Sequence, residues 1–331
     1  MSSLSMSEKW RRSLSNPLVL KARATGIVVK ILRTLLIIGL CYLFLFPLFY
    51  LALAAFSSAN TIDDPSVVWI PKAFTLENFK LAYTTLRFGE SVWLTARITI
   101  FSTLASLISC SLVGYGFARF DFAEKKLAWL IVVLMIIVPP QTYMLSSYMQ
   151  FRFFDFSGIM KLLAPLTGQD HINMLNTTWV FILPAIFASG LKSGLFIFIF
   201  RQFFMGLPKD LEEAARIDGC GALKTFVRII VPITRPAFLT VTLFSVVWHW
   251  NDLYTSSMLF NSDVLPITAM LNTFHSNLSV VLSAQSLENS VSVGRAAVSA
   301  GALLTVIPPL VLYIFTQRFF VESIERTGIV G

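Results

Sequence analysis

The sequence predicts an all-α, polytopic membrane protein with six transmembrane helices. Three observations carry that expectation. The chain is 56% hydrophobic and only 13% charged, whereas soluble domains carry roughly a quarter charged residues to cover themselves in water. Six apolar stretches approach the roughly 20 residues that a helix needs to cross a bilayer. Within those stretches the apolar residues do not alternate as they do in a lipid-facing strand, so helices that satisfy their own backbone groups are expected rather than a barrel.

The six stretches are Leu32–Phe56, Val92–Phe117, Leu127–Tyr148, Trp179–Phe203, Ala237–Phe260 and Ala296–Thr316. The first follows a basic segment and ends among small residues (Ala52, Ala54, Ala55), as a cleaved leader does. However, about 30 residues precede it and it exceeds the usual apolar core of a leader, so a retained anchor is expected. Pro139-Pro140-Gln141 lies inside the third stretch and Pro308-Pro309 inside the sixth. Proline removes a backbone donor and kinks a helix. A packing kink is the simpler reading of both doublets, and a cavity lining that includes Gln141 and Tyr143 is the other. The cysteines Cys41, Cys110 and Cys220 have no metal or redox spacing and read as small hydrophobes.

Charge sets the orientation. With the N-terminus inside, 18 Lys and Arg residues fall on the cytoplasmic side, among them Lys9, Arg11, Arg12, Arg119, Lys125 and Arg216, and 7 fall outside. Both termini are therefore expected in the cytoplasm. The net charge of +8 is accounted for by this bias, with no need for a nucleic acid. Lys192, in the fourth stretch, has two open readings: it snorkels to an interface, or it faces a translocation path.

The outward connections Ser57–Ser91, Met149–Thr178 and Asn261–Arg295 are long, and the first inward one, Ala118–Lys126, is short. The second inward one, Phe204–Pro236, is longer than topology demands. Within it Asp210 and Glu213 form a capping-box pattern, Ala214 and Ala215 favour helix, and Gly219 suits a left-handed stop. A second short helix from Ala222 to Ile230 is expected to end before Pro232. Two such helices make either a docking knob or a plain connector.

Polar groups at membrane depth mark functional positions by default, and the run Trp248-His249-Trp250-Asn251-Asp252-Leu253-Tyr254 is the densest. Aromatic faces and planar amides or carboxylates can line the path of a polar solute, so Trp250, Asn251, Asp252 and Tyr254 join Gln141 and Tyr143 as substrate-pathway candidates. A lone His249 is more often a packing residue. The three His (His171, His249, His275) have no zinc-ligand spacing, and neither catalytic constellations nor inverted repeats are evident. No Gly-x-x-x-x-Gly-Lys-Ser/Thr loop is present.

Glu213-Ala214-Ala215, then three residues, Gly219, nine residues, and Ile229-x-Val231-Pro232 resemble the EAA loop of importer-type ABC permeases, with Val231 where the signature has Leu. Phe200–Phe204, Glu212–Gly219, Trp250-Asn251-Asp252, Thr75–Phe79, Tyr115–Phe120 and Gln317–Val321 are similar to the sugar-uptake permeases related to the inner-membrane maltose subunits. The likeness spans nearly the whole chain. It departs at the tail Gly328–Gly331, which lacks a Lys before the last Gly, and in a longer outer loop at Arg152–Asn176.

The resemblance implies a type I ABC importer permease fold, with a transmembrane domain over 32–317, a coupling loop at 204–236, and cytoplasmic segments at 1–31 and 318–331. It implies that Glu212, Glu213, Ala214, Ala215, Asp218, Gly219 and Pro232 couple to an ATPase. Implied partners are a second permease subunit forming a heterodimer, a cytoplasmic ATP-binding subunit dimer that uses ATP and Mg, and an extracytoplasmic solute-binding protein. The chain itself is expected to bind no cofactor and no metal, and to carry a carbohydrate across a bacterial inner membrane. A non-sugar solute, or a stand-alone secondary transporter, is the alternative.

Overall fold

The computed structural model describes residues 17–58, 61–62, 70–156, 158, 160, 170–285 and 290–328. The expected cytoplasmic charges Lys9, Arg11 and Arg12, much of the outer loop after Arg152, and the tail residues Ile329–Gly331 lie outside that set. The described chain is helical, with isolated β-bridges at Ser57–Phe74 and Phe154–Ile172.

Among the described residues the α-helices run in this order, the three-residue turn Val231–Ile233 aside. They begin with α1 (Pro17–Phe56), α2 (Glu77–Thr85), α3 (Phe88–Arg119), α4 (Lys125–Ile137) and α5 (Met144–Arg152). Next come α6 (Trp179–Ile186), α7 (Ser193–Met205), α8 (Asp210–Ile217), α9 (Ala222–Thr225) and α10 (Arg235–Trp250). The last are α11 (Tyr254–Leu259), α12 (Ile267–Asn272), α13 (Phe274–Gln285) and α14 (Ser290–Gly328).

The described residues are all-α as expected, while the expected six transmembrane helices are not confirmed. Among the described residues, three helices are long and apolar enough to cross a membrane: Thr25–Phe56, Phe88–Arg119 and Val291–Gln317. Two further segments qualify only as bent pairs, Lys125–Ile137 with Pro140–Arg152 at 101° and Ala222–Ile233 with Arg235–Trp250 at 80°. The expected fourth span, Trp179–Phe203, divides into α6 and α7.

Each break has a local cause. Val138, preceding Pro139, is forced out of the helical region and adopts φ −72°, ψ 119°. Between α6 and α7 the chain turns through left-handed Ala188 (φ 53°) and Lys192 (φ 59°). There a Cβ on Gly190 would come within 3.0 Å of the Ala185 amide nitrogen. By contrast, Pro308 and Pro309 lie within a continuous α14.

Helix α3 is the hub, packed against α6, α7 and α10. Its crossing with α7 is close because Gly114 leaves no side chain: a Cβ there would lie 2.8 Å from Phe200 Cβ. Gly194 does the same for α7 against α4, where a Cβ would meet Met135 Cβ at 2.9 Å. Small residues at such crossings let backbones approach where lipid offers no hydrophobic drive for association. A second group gathers α2, α12, α13 and α14 around Leu86, Ile267 and Phe274. Asn78, in the Thr75–Phe79 motif, ties α1 to it by donating through Nδ2 to the Ala55 and Ser57 carbonyls, both at 2.8 Å. None of the apolar window of α1 is buried within the chain, whereas 56% of that of α3 is.

Candidate functional site

The long inward loop folds into the expected pair of short helices. Helix α8 starts at Asp210, with Lys209 at the cap position and no side-chain capping bond. The capping box read at Asp210 and Glu213 therefore does not form. Asp210, Glu212 and Glu213 instead occupy the first turn, where their charges oppose the helix dipole. The stop at Gly219 is as expected: φ is +76°, the Gly219 amide donates to the Arg216 carbonyl at 3.0 Å, and the Cys220 amide donates to the Ala215 carbonyl at 2.8 Å. Those two bonds make a Schellman motif, which an L-residue enters only with strain.

The second helix does not end before Pro232. After α9 it widens into a π turn over Phe226–Ile230, where the Val231 amide reaches back to the Phe226 carbonyl, and helix resumes at Val231–Ile233 with Pro232 inside. A wide turn accommodates a ring that would strike the carbonyl of an ordinary turn. Thr234 then closes the segment, its hydroxyl donating to the Ile230 carbonyl at 2.7 Å, before the 80° bend into α10. The outer face of this knob exposes large apolar side chains among charged ones: Ile217 is 87% exposed and Leu223 68% exposed, beside exposed Glu213, Arg216, Asp218 and Lys224.

The inner face is anchored in two ways. Phe226 inserts between Tyr115 of α3 and Phe204 of α7, with ring centroids 4.9 Å and 6.0 Å away. Beside it, Arg119 Nε of α3 lies 2.6 Å from Glu212 Oε1 of α8, with side chains only 5% and 9% exposed. Arg119 Nη2 also donates to the Leu207 carbonyl at 2.9 Å. The Nε–Oε1 approach is an ion pair without hydrogen-bond alignment, so Coulomb attraction rather than directionality carries it. In the sequence Arg119 counts as a cytoplasmic charge and as part of the Tyr115–Phe120 run, with no coupling role expected of it. The signal that singles it out is a basic residue ending an apolar span opposite a second acidic residue before Glu-Ala-Ala.

About 20 Å from this end, the length of the 13-residue helices α4 and α7 at 1.5 Å per residue, the breaks after α4, before α7 and after α10 meet. They enclose an open cavity of about 800 Å³. Its lining brings together Gln141, Tyr143, Asn251, Asp252 and Tyr254, with Lys192 and Trp248 beside them. Trp250, also read as a pathway residue, is elsewhere. It is buried against α14, donating its indole N–H to the Thr305 carbonyl at 3.2 Å. Helical spacing turns residues two apart to different faces, so it is Trp248 that lines the cavity. His249 is buried, with Nδ1 2.8 Å from the Ser245 carbonyl. The Ser245 hydroxyl lies 2.9 Å from that of Thr103, so the three bridge α10 to α3 as packing residues.

Of the coupling-loop residues, Glu212 and Ala215 face the bundle, while Glu213, Ala214, Asp218, Gly219 and Pro232 are exposed.

Residues 111–326 match the family described as binding-protein-dependent transport system inner membrane component. The arabinooligosaccharides transport system permease protein AraQ of Halalkalibacterium halodurans is 29% identical, covering 93% of this chain and 99% of that one. The melibiose/raffinose/stachyose import permease protein MelC of Bacillus subtilis is also 29% identical, over 86% of this chain and 91% of its own length. The crystal structure of a bacterial ABC transporter involved in the import of the acidic polysaccharide alginate contains a chain of the same fold. It superposes with a TM-score of 0.66 at 19% identity, covering 97% of this chain and 100% of that one.

Proposed function

Because this chain belongs to the family of binding-protein-dependent transport system inner membrane components, we propose that it is the permease subunit of an ATP-driven carbohydrate importer. The sugar reading is supported by relatives named for arabinooligosaccharides and for melibiose, raffinose and stachyose. The observation that carries the coupling role is the knob: α8 and α9 present exposed Ile217 and Leu223 outward while Glu212 and Phe226 root them in the bundle.

The knob sits in a cleft of a cytoplasmic ATP-binding subunit, one of a dimer that uses ATP and Mg. Glu213, Ala214, Asp218 and Gly219 form its contact surface, while Glu212, Ala215 and Pro232 hold its shape. Closure of that dimer on ATP moves the knob, and Arg119–Glu212 and Phe226 pass the displacement to α3 and α7. A second permease subunit completes the pathway, and the exposed apolar face of α1 is available to it and to lipid. ATP sandwiching then shifts the population between inward-open and outward-open arrangements, to the extent that ATP binds one better than the other. An extracytoplasmic binding protein delivers the sugar. The transmembrane domain is 32–317 of a bacterial inner-membrane protein, with segments 1–31 and 318–331 in the cytoplasm.

Reconstitution of the full importer in proteoliposomes tests this. Glu213→Ala and Gly219→Pro are expected to abolish ATP-driven uptake while the protein still inserts. Full uptake by either variant overturns the coupling assignment.

A further inference from the structure

Two charged side chains line the cavity where the helix breaks meet, Lys192 and Asp252, and their surroundings differ. Asp252 is engaged. Its Oδ1 accepts from the Thr255 hydroxyl at 3.0 Å, and its Oδ2 accepts from the Ser256 amide at 2.7 Å and the Ser256 hydroxyl at 3.0 Å. Those bonds occupy most of the acceptor positions of a carboxylate, and its charge is also offset by the start of α11. Lys192 has no such partner: among the described residues no carboxylate lies within ion-pairing distance of it. Its ammonium instead lies 5.5 Å from the centroid of the Trp248 ring.

Lys192 precedes the first residue of α7, and its ammonium turns toward Trp248 on the cavity wall. The left-handed backbone at Lys192 holds the stem at the mouth of the α6–α7 break. Lys192 is exposed to this open cavity, so its ammonium can meet a passing solute, and an anion there adds charge attraction to hydrogen bonding. Around it Gln141, Asn251 and Tyr254 offer amides and a hydroxyl, which suit sugar hydroxyls and cannot neutralise a charge.

We propose that Lys192 is the anion-reading residue of a carbohydrate subsite, and that the sugar passing it carries a carboxylate, as a uronate does. This rests on the permease reading above and narrows its substrate class.

The test uses the assembled permease–ATPase complex in nanodiscs, with trigalacturonate and its neutral, fully methyl-esterified form as probes. Calorimetric titration of wild type is expected to give an affinity for the acid about tenfold above that for the ester, the margin of one charge-assisted contact. Lys192→Gln removes that margin by weakening the acid alone, and Lys192→Arg retains it. Equal affinity for acid and ester, no binding of either, or an unchanged margin in Lys192→Gln overturns the proposal. ATP-driven uptake of neutral oligosaccharides that ignores Lys192 leaves the permease reading standing and removes this one. Failure of every carbohydrate to be taken up removes the permease reading itself.

Discussion

The two ends of the helix bundle are built on opposite terms. At the knob, α3, α7 and the loop meet in a dense aromatic cluster with a buried ion pair. At the cavity, three of the same chain's helical segments stop, and the space between them stays open. Transmitting a displacement requires contacts that do not yield. Backbone that has left the helix is tolerated at membrane depth where it is buried in protein or lines a water-filled cavity, and the three breaks border an open cavity. The intervening helices, of 13 to 16 residues, keep the two ends about 20 to 24 Å apart.

Substitutions at the two ends test that contrast, and the largest effect is expected at the ion pair. Glu212→Leu or Arg119→Leu alone leaves a buried charge unpaired and is expected to cost about 3–5 kcal/mol in detergent unfolding. The double variant is expected to recover most of that loss, so the cycle is strongly non-additive. Additive losses would show that the pair is not coupled.

Next in size is the α3–α7 crossing. Gly114→Ala is expected to cost about 1–3 kcal/mol through overpacking. Gly116→Ala, on the same helix with nothing near its added carbon, is expected to be neutral or to stabilise by up to about 1 kcal/mol. Equal thermal shifts of the two variants would show that the α3–α7 crossing is not tight at Gly114.

At the cavity end, Asp252→Ala removes the acceptor at the start of α11 and is expected to cost about 1 kcal/mol. The loss should appear as faster hydrogen exchange confined to Tyr254–Leu259.

The smallest effect belongs to an exposed ion pair near the knob. Lys125, 2.9 Å from Asp121, holds the Asp121 carboxyl below its ordinary value by hydrogen bonding and charge. A depressed carboxyl contributes stability above its unfolded value and loses it as the pH falls through the folded one, below the usual carboxylate range. Asp121 is fully exposed, so solvent screens the pair. Wild type and Asp121→Asn should therefore show indistinguishable pH profiles of unfolding. A clear acid-side difference would place the pair among the structural contacts of the knob end.

Local chemistry made part of this legible in the sequence. The helical class, the charge bias, the break in the inward loop and the left-handed stop at Gly219 each depend on a few neighbouring residues or on composition. The separation of Trp248 from Trp250 was also open to helical periodicity, but which of the two meets α14 and which meets the cavity depends on the packing of distant helices. The same holds for Arg119, whose partner Glu212 lies 93 positions along the chain.

The two proline doublets mark the boundary between local and tertiary information. Pro139-Pro140 and Pro308-Pro309 lie in similarly apolar runs, yet the first breaks its span by 101° and the second lies within a continuous helix. The sequence by itself determined that each doublet weakens the backbone ladder, because a proline has no N–H to donate. Only the tertiary structure decided the outcome. The freed groups after α4 border the open cavity, while α14 stays helical beside α1 and α10. Whether neighbouring helices leave room for a bend is a property of packing that no local stretch contains.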